Sequence, residues 1–235
     1  MSARRVYLDH NATTPVDPRV LEEMLPFLRE DFGNPSSLHW HGQRARAAVE
    51  EARERVAALV GGRPAEVVFT ASGSESDNMS LRGVLARAKG ARRGLVVSAV
   101  EHHAVLDTAK AMREEGVPVE VARVTGAGVV DPDELAARVT EATALVSVML
   151  ANNETGLLQP VREAARVARE RGALVHCDAV QAAGKVPLDV GALDVDLLTL
   201  SAHKICGPKG TGCLWVRRGT PIVPLVRGGA QERNR

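Results

Sequence analysis

Aromatic side chains are scarce in this sequence: three Phe, two Trp and one Tyr make up 3% of its 235 residues. A surface that stacks nucleic-acid bases needs aromatics set in a basic groove. Here 30 basic and 29 acidic residues leave a net charge of only +1. That balance offers no long-range pull on a polyanion or a strongly acidic partner. Cysteine is nearly as rare. Cys177, Cys206 and Cys213 form an odd set with no Cys-x-x-Cys pair, which is neither a disulfide framework nor a metal pattern and suits a reducing compartment. No apolar run reaches the ~18–20 residues that cross a bilayer. The start, "MSARRVYLDHNATTP", has two arginines but lacks the apolar stretch of a signal peptide. A cytoplasmic protein is expected, with no membrane and no directly bound nucleic acid.

What the chain does have is alternation. Apolar, β-branched runs at 66–71, 94–100, 144–150, 173–179, 195–202 and 212–218 read as strands, with 6–9 and the half-polar 117–124 as further extended segments. Helical spacing fills 18–30, 43–60, 75–88, 103–115, 132–139 and 161–171, with Gly116 and Gly172 as stops. Strands alternating with helices imply an α/β fold, a mostly parallel sheet with helices on both faces. With 45% hydrophobic residues and no repeat, low-complexity tract or linker, one domain over residues 1–235 is expected. In such sheets ligands lie beyond the carboxyl ends of the strands, so chemistry is sought there.

At 67–78, "VVFTASGSESDN", a strand turns through Ser-Gly-Ser into an acid-containing helix. A helix N-terminus presents unpaired N–H groups to an anion, Gly73 permits close approach and Ser74 adds a hydroxyl; Ser74 serves equally well as a plain helix cap. "VSAVEHHAV" (97–105) places His102 and His103 after a strand. Neighbours on a helix do not share a face, so one imidazole can cover a flat ligand while the other is solvated. His39 and His41 in "LHWHG" lack a third metal ligand and read as loop residues. Asn153 in "LANNETG" is an amide donor or a turn former. Asp178, at the end of an apolar strand, needs a cationic or hydrogen-bonding partner, and Gln181 follows three residues on. Lys204, in "DLLTLSAHKICGPKGTG" (196–212), lies between Ser201, His203 and a glycine-rich loop. A partly desolvated lysine is a nucleophile able to form a Schiff base, although this one alone reads as readily as a surface charge. Taken together, an anion cradle, a flat-face histidine, a strand-end aspartate and a strand-end lysine are the parts that hold pyridoxal phosphate.

Seven motifs carry a family resemblance: "YLDHNATTPVDPRV" (7–20), "FGNPSSLH" (32–39), "VVFTASGSESDNMSLRG" (67–83), "EHHAVLDT" (101–108), "NNETG" (152–156), "HCDAVQAAGKVPLDV" (176–190) and "SAHKICGPKGTGCLWVRR" (201–218). They occur in order over nearly the whole chain, which resembles the cysteine desulfurases, pyridoxal-phosphate enzymes of fold type I. The "GPKG" ending (207–210) is similar to their nitrogen-fixation and iron–sulfur branch. The resemblance implies that Lys204 forms the Schiff base and moves the substrate proton. It implies that His102 stacks on the ring and helps to move protons, while Asp178 pairs with the ring nitrogen. Gln181 and Asn153 serve the phenolic edge, and Gly73, Ser74, Ser201 and His203 hold the phosphate; serine at 74 replaces the family's usual threonine. It further implies L-cysteine as substrate, L-alanine and an enzyme persulfide as products, a homodimer, and iron–sulfur scaffolds or sulfur carriers as acceptors. A selenocysteine lyase, a small-amino-acid aminotransferase or a non-catalytic docking module are the competing readings. The family continues past the last residue into a small domain and a loop with the nucleophilic cysteine. This chain is therefore expected to be incomplete for persulfide transfer. Cys206 is expected to be a small packed residue, and Cys177 and Cys213 core residues.

Overall fold

In the computed structural model, which describes residues 5–88, 90, 92–228 and 231–234, seven strands form one sheet. They are β1 (Val67–Thr70), β2 (Gly94–Ser98), β3 (Val119–Ala122), β4 (Thr143–Ser147), β5 (Leu174–Asp178), β6 (Leu197–Ser201) and β7 (Gly212–Val216). Their spatial order is β1-β7-β6-β5-β4-β2-β3. The pairs from β3 to β6 are parallel, and β7 runs antiparallel to both β1 and β6. The expected mostly parallel sheet is present. β4, β6 and β7 are buried at every position, as strands covered on both faces must be.

Two layers of helix supply that cover. α3 (Gly73–Arg87) and α4 (His103–Glu114) lie on one face, where Met79, Leu81, Val84, Val105 and Met112 pack on Leu95, Leu145, Leu197 and Leu214. On the other face, α2 (Trp40–Leu59), α5 (Pro132–Arg138), α6 (Val161–Glu170) and the single turn α7 (Val190–Leu193) pack on Val96, Val146, Val175, Leu198 and Trp215. Successive side chains of a strand point to opposite faces. Val175 and Cys177 therefore face α6, while His176 and Asp178 face α3. Likewise Leu198 and Leu200 turn one way, and Leu197, Thr199 and Ser201 the other. The α3 face thus receives a polar strip at the carboxyl ends of β4, β5 and β6, which is where a site can form.

Several elements depart from the expected pattern. Residues 6–9 form no strand: Val6 and Leu8 are exposed, and Tyr7 Oη donates to the carbonyls of Asp9 (2.7 Å) and Thr13 (3.2 Å), curling the segment away from any edge. α1 (Pro18–Arg29) forms as expected under the cap of Asp17. α2 begins three residues early, because His39 Nδ1 accepts from the Gly42 N–H at 3.3 Å and acts as the cap. Hence His41 is helical, and its ring stacks on Phe32 with centroids 5.6 Å apart. α3 starts at Gly73, two residues early. Its cap is Ser72, whose Oγ accepts from the Glu75 N–H at 3.0 Å; Ser74 is left uncommitted, so its plain-cap reading is overturned. α7 is too short to show a period.

Gly212 decides where α3 begins. A Cβ there would stand 2.4 Å from the Ser72 carbonyl carbon and 2.5 Å from its oxygen, both backbone atoms. Gly212→Ala is therefore expected to lose about 1–3 kcal/mol in urea unfolding, the usual cost of overpacking. A variant of wild-type stability would show that the β7–α3 junction has room to give.

Candidate functional site

The N-terminus of α3, the ends of β5 and β6 and the loops after β2 and β4 enclose a cleft of about 480 Å³, within the range of small-molecule sites. All nine candidate residues line it: Gly73, Ser74, His102, Asn153, Asp178, Gln181, Ser201, His203 and Lys204. Five separate stretches of chain bring these nine together, because parallel strands present their carboxyl ends on one edge.

On the α3 side, a Cβ on Gly73 would meet Val180 Cγ2 at 3.0 Å and Ser201 Cβ at 3.4 Å, so the helix start packs tightly on β6. Ser74 is exposed in the first turn, where N–H groups have no partner within the helix. Beside it, His203 Nδ1 meets Thr13 Oγ1 at 3.1 Å. Burial and the nearby Lys204 and Lys209 charges hold this imidazole below its usual range, hence neutral. His102 caps α4, its Nδ1 accepting from the Ala104 N–H at 3.1 Å; His103 points elsewhere, toward Asp107. Asn152 and Asn153 divide the two roles weighed for an asparagine here. Asn152 Oδ1 accepts from the Glu154 and Thr155 N–H groups and builds the turn, and Asn153 lines the cleft.

Asp178 is buried and accepts from the Val180 N–H at 2.9 Å. Burial raises its pKa, against that N–H and the Lys204 charge. Lys204 is half-buried and donates to the carbonyls of Asn11 (2.5 Å) and Ala12 (2.8 Å). Burial, then the charge of Lys185, lowers its pKa, while Asp9 and Asp178 oppose the shift. Gln181 Nε2 donates to the same Asn11 carbonyl at 2.8 Å. The N-terminal segment is fastened here by further bonds, among them Thr14 N–H to the His203 carbonyl (2.9 Å), Cys206 N–H to Thr14 Oγ1 (2.8 Å) and Asp17 N–H to the Cys206 carbonyl (2.9 Å). Cys206 is exposed rather than packed, with φ of +63°, because its turn is held through the backbone and leaves its side chain unused. Cys177 and Cys213 are buried, as expected.

Behind the cleft lies a polar chain that no spacing in the sequence marks. Ser147 Oγ meets His176 Nδ1 at 2.9 Å, and His176 Nε2 meets Thr199 Oγ1 at 3.0 Å. Burial pulls His176 down to about 3, so it is neutral. Asp77, one helical turn past Gly73 and also lining the cleft, is buried, and its Oδ1, 3.5 Å from His176 Nε2, has no hydrogen-bond partner among the described residues. That distance is too long for a hydrogen bond, and a neutral imidazole makes no ion pair. Burial, then Asp178, raises the Asp77 pKa well above the carboxylate range. At the other end Glu101 Oε1 accepts from Ser98 Oγ (2.5 Å) and the Met149 N–H (2.6 Å), and Oε2 faces Ser147 Oγ at 3.4 Å. Burial pushes Glu101 up to about 7. Asp9, Asn11 and Ala12 also line the cleft. Their only sequence signal was membership of the first family motif.

Residues 6–234 match the model of the class-V aminotransferases. The chain is 46% identical over 232 residues to a "Cysteine desulfurase IscS" of Dictyoglomus turgidum, covering 99% of this chain and 59% of that protein. It is 49% identical over 230 residues to "Cysteine desulfurase 1" of Trichormus variabilis, covering 98% and 57%. A solved "NIFS-LIKE PROTEIN" superposes with TM-score 0.96 at 46% identity, over 98% of this chain and 64% of that one. "SspA in complex with cysteine" gives 0.93 at 35%, over 97% and 66%. The chain thus spans about 57–59% of the length of these two curated relatives. Their family is pyridoxal-phosphate-dependent, and the cleft suits that group. A helix start with free N–H groups beside hydroxyls matches a phosphate, and two buried carboxyls, one with an unpartnered oxygen, match a cationic ring nitrogen.

The Glu101 shift has a pH signature. A carboxyl raised from 4.5 to about 7 on folding contributes stability that is present below pH 4.5 and lost as pH rises through 7. The loss is about 3 kcal/mol at 1.36 kcal/mol per unit. Glu101→Gln keeps the acceptor and removes the ionisation. Between pH 4 and 8 its urea stability should therefore gain about 3 kcal/mol on wild type; parallel curves would contradict a neutral Glu101.

Proposed function

We propose, for a chain that belongs to the class-V aminotransferase family, that it carries the cofactor site of a pyridoxal-phosphate-dependent cysteine desulfurase. The supporting observation is the meeting of Lys204, Asp178, His102 and Gln181 in one cleft beside the start of α3. Bound there, pyridoxal phosphate supplies an electron sink that stabilises negative charge at the substrate Cα. The chain's own residues do the rest. The α3 N–H groups with Gly73, Ser74, Ser201 and His203 bind the phosphate, and the Asp178 carboxylate pairs with the ring nitrogen and orients the ring. His102 covers the ring face and keeps water from it, Gln181 donates to the phenolic oxygen, and Asn153 reaches the same edge and the substrate carboxylate.

Lys204 holds the cofactor and, once released, moves the proton at the substrate Cα. Its place after release is ready: the carbonyls of Asn11 and Ala12 accept its amine. L-cysteine as substrate rests on the named relatives and on the solved one with cysteine bound. Cys177 and Cys213 are unsuited to take the sulfur. Burial raises the Cys177 thiol and pushes Cys213 up to about 12, and only a thiolate is nucleophilic. A homodimer would cover the exposed Leu38 and Trp40, and delivery to an iron–sulfur scaffold or sulfur carrier completes the proposal.

Borohydride reduction of the chain with pyridoxal phosphate should give a mass gain of one pyridoxyl phosphate, mapped to Lys204 and absent from Lys204→Ala. Cα hydrogen exchange of L-cysteine in heavy water, which needs no persulfide, should fall about 10²–10⁴-fold in the same variant. An adduct at another lysine, or exchange that survives Lys204→Ala, would overturn the assignment; amino transfer to a keto acid without release of sulfur would make it an aminotransferase.

A further inference from the structure

Lys185 stands beside the cleft and has no part in the chemistry proposed above. It lies four residues past Gln181 in the turn after β5, and its Nζ donates to Gln181 Oε1 at 2.7 Å. An ammonium only donates and a carbonyl only accepts, so the Gln181 amide is fixed from both sides. Oε1 faces Lys185, and Nε2 spends one hydrogen on the Asn11 carbonyl at 2.8 Å. The second hydrogen of Nε2 remains for a ligand. The same Asn11 carbonyl accepts from Lys204 Nζ at 2.5 Å. A continuous series of hydrogen bonds therefore runs from the Lys185 ammonium through Gln181 and Asn11 to the Lys204 amine. The two lysines share this polar cluster, and like charges repel.

We propose that Lys185 is a positioning residue of this site: it fixes the Gln181 amide as a donor toward the cleft, and its charge, set at the far end of the shared hydrogen-bond series, disfavours the charged form of the Lys204 amine. The Gln181 half rests on the pyridoxal-phosphate reading; the Lys204 half does not. The groups acting on Lys204 are Asp9 from the N-terminal segment and Asp178 at the end of β5, which favour its charged form, and Lys185, which opposes them. Removing Lys185 leaves burial alone to oppose the two carboxylates and strips the donor from Gln181 Oε1.

The test uses Lys185→Met, of similar length without charge or donor, and Lys185→Arg, which keeps both. Limiting acetic anhydride is applied to the cofactor-free full chain across a pH series, with Lys204 labelling read by peptide mass against Lys110 as internal reference. At fixed pH near 8, Lys204 should label about two- to tenfold more slowly in Lys185→Met, because a smaller share of its amine is then uncharged. Lys185→Arg should restore the rate. Pyridoxal phosphate, followed by the borohydride-trapped adduct, should bind more weakly to the Met variant and normally to the Arg variant. Wild-type Lys204 labelling in Lys185→Met would overturn the proposal, as would equal weakening in both variants. A wild-type chain that traps no cofactor while Lys185→Met still slows Lys204 would sink the cofactor reading and leave the lysine coupling in place. Lys185 is exposed and its side chain is outside the core, so both variants are expected to fold; a melting temperature below wild type in Met but not Arg would also count against a purely local role.

Discussion

Asp178 is buried at the carboxyl end of β5, with the Val180 N–H at 2.9 Å and burial raising its pKa. A carboxylate so placed is costly as an anion unless a cation arrives, and the site is arranged around that cost. Two further carboxyls, Asp77 and Glu101, are buried near it, and His176 between them is neutral. Three buried anions without a buried cation would be prohibitive, and burial raises the pKa of both Asp77 and Glu101. In the proposed reading, a ligand with a positive ring nitrogen would give Asp178 a cationic partner.

The same economy explains how the sheet is used. Strict alternation places Val175, Cys177, Leu198 and Leu200 against one helical layer and His176, Asp178, Thr199 and Ser201 beneath α3. One face can then be wholly apolar while the other turns polar toward its carboxyl ends. The start of α3 closes over that strip because Gly73 and Gly212 carry no Cβ, so the helix approaches β6 and β7 at backbone distance. The anion-binding end of the helix and the buried carboxyls are thus brought into one cleft by a single packing contact.

Lys204 is handled differently. It sits on the rim, and its amine is held by carbonyls from the N-terminal segment, 193 and 192 positions away. That segment has little core of its own, since Val6 and Leu8 are exposed. It is ordered by hydrogen bonds to the Ser201–Cys206 turn, and in return it supplies Asn11 as the acceptor shared by Gln181 and Lys204. The floor of the cleft is rigid core, and its wall is a strap tied down at a few polar points.

Much of this was legible in the chain itself. Periods of 2 and 3.6 are local, so strands, helices and their alternation could be read directly, and ligands in such sheets gather at strand ends. That was enough to point to candidates at the strand ends, the family resemblance assigned their roles, and all nine line the cleft. Boundaries slipped where an unusual residue did the capping, as His39 does for α2. The fold decided what depends on contacts between distant positions: the curl of 6–9, the exposure of Cys206, the unpartnered Asp77 oxygen and the link from Lys185 to Lys204. Sequence determined which side chains stand at the strand ends, because side-chain direction along a strand is a local property. Only tertiary packing decided which of them are dry, which are charged and which share a hydrogen bond, because burial and proximity are set by elements far apart in the chain.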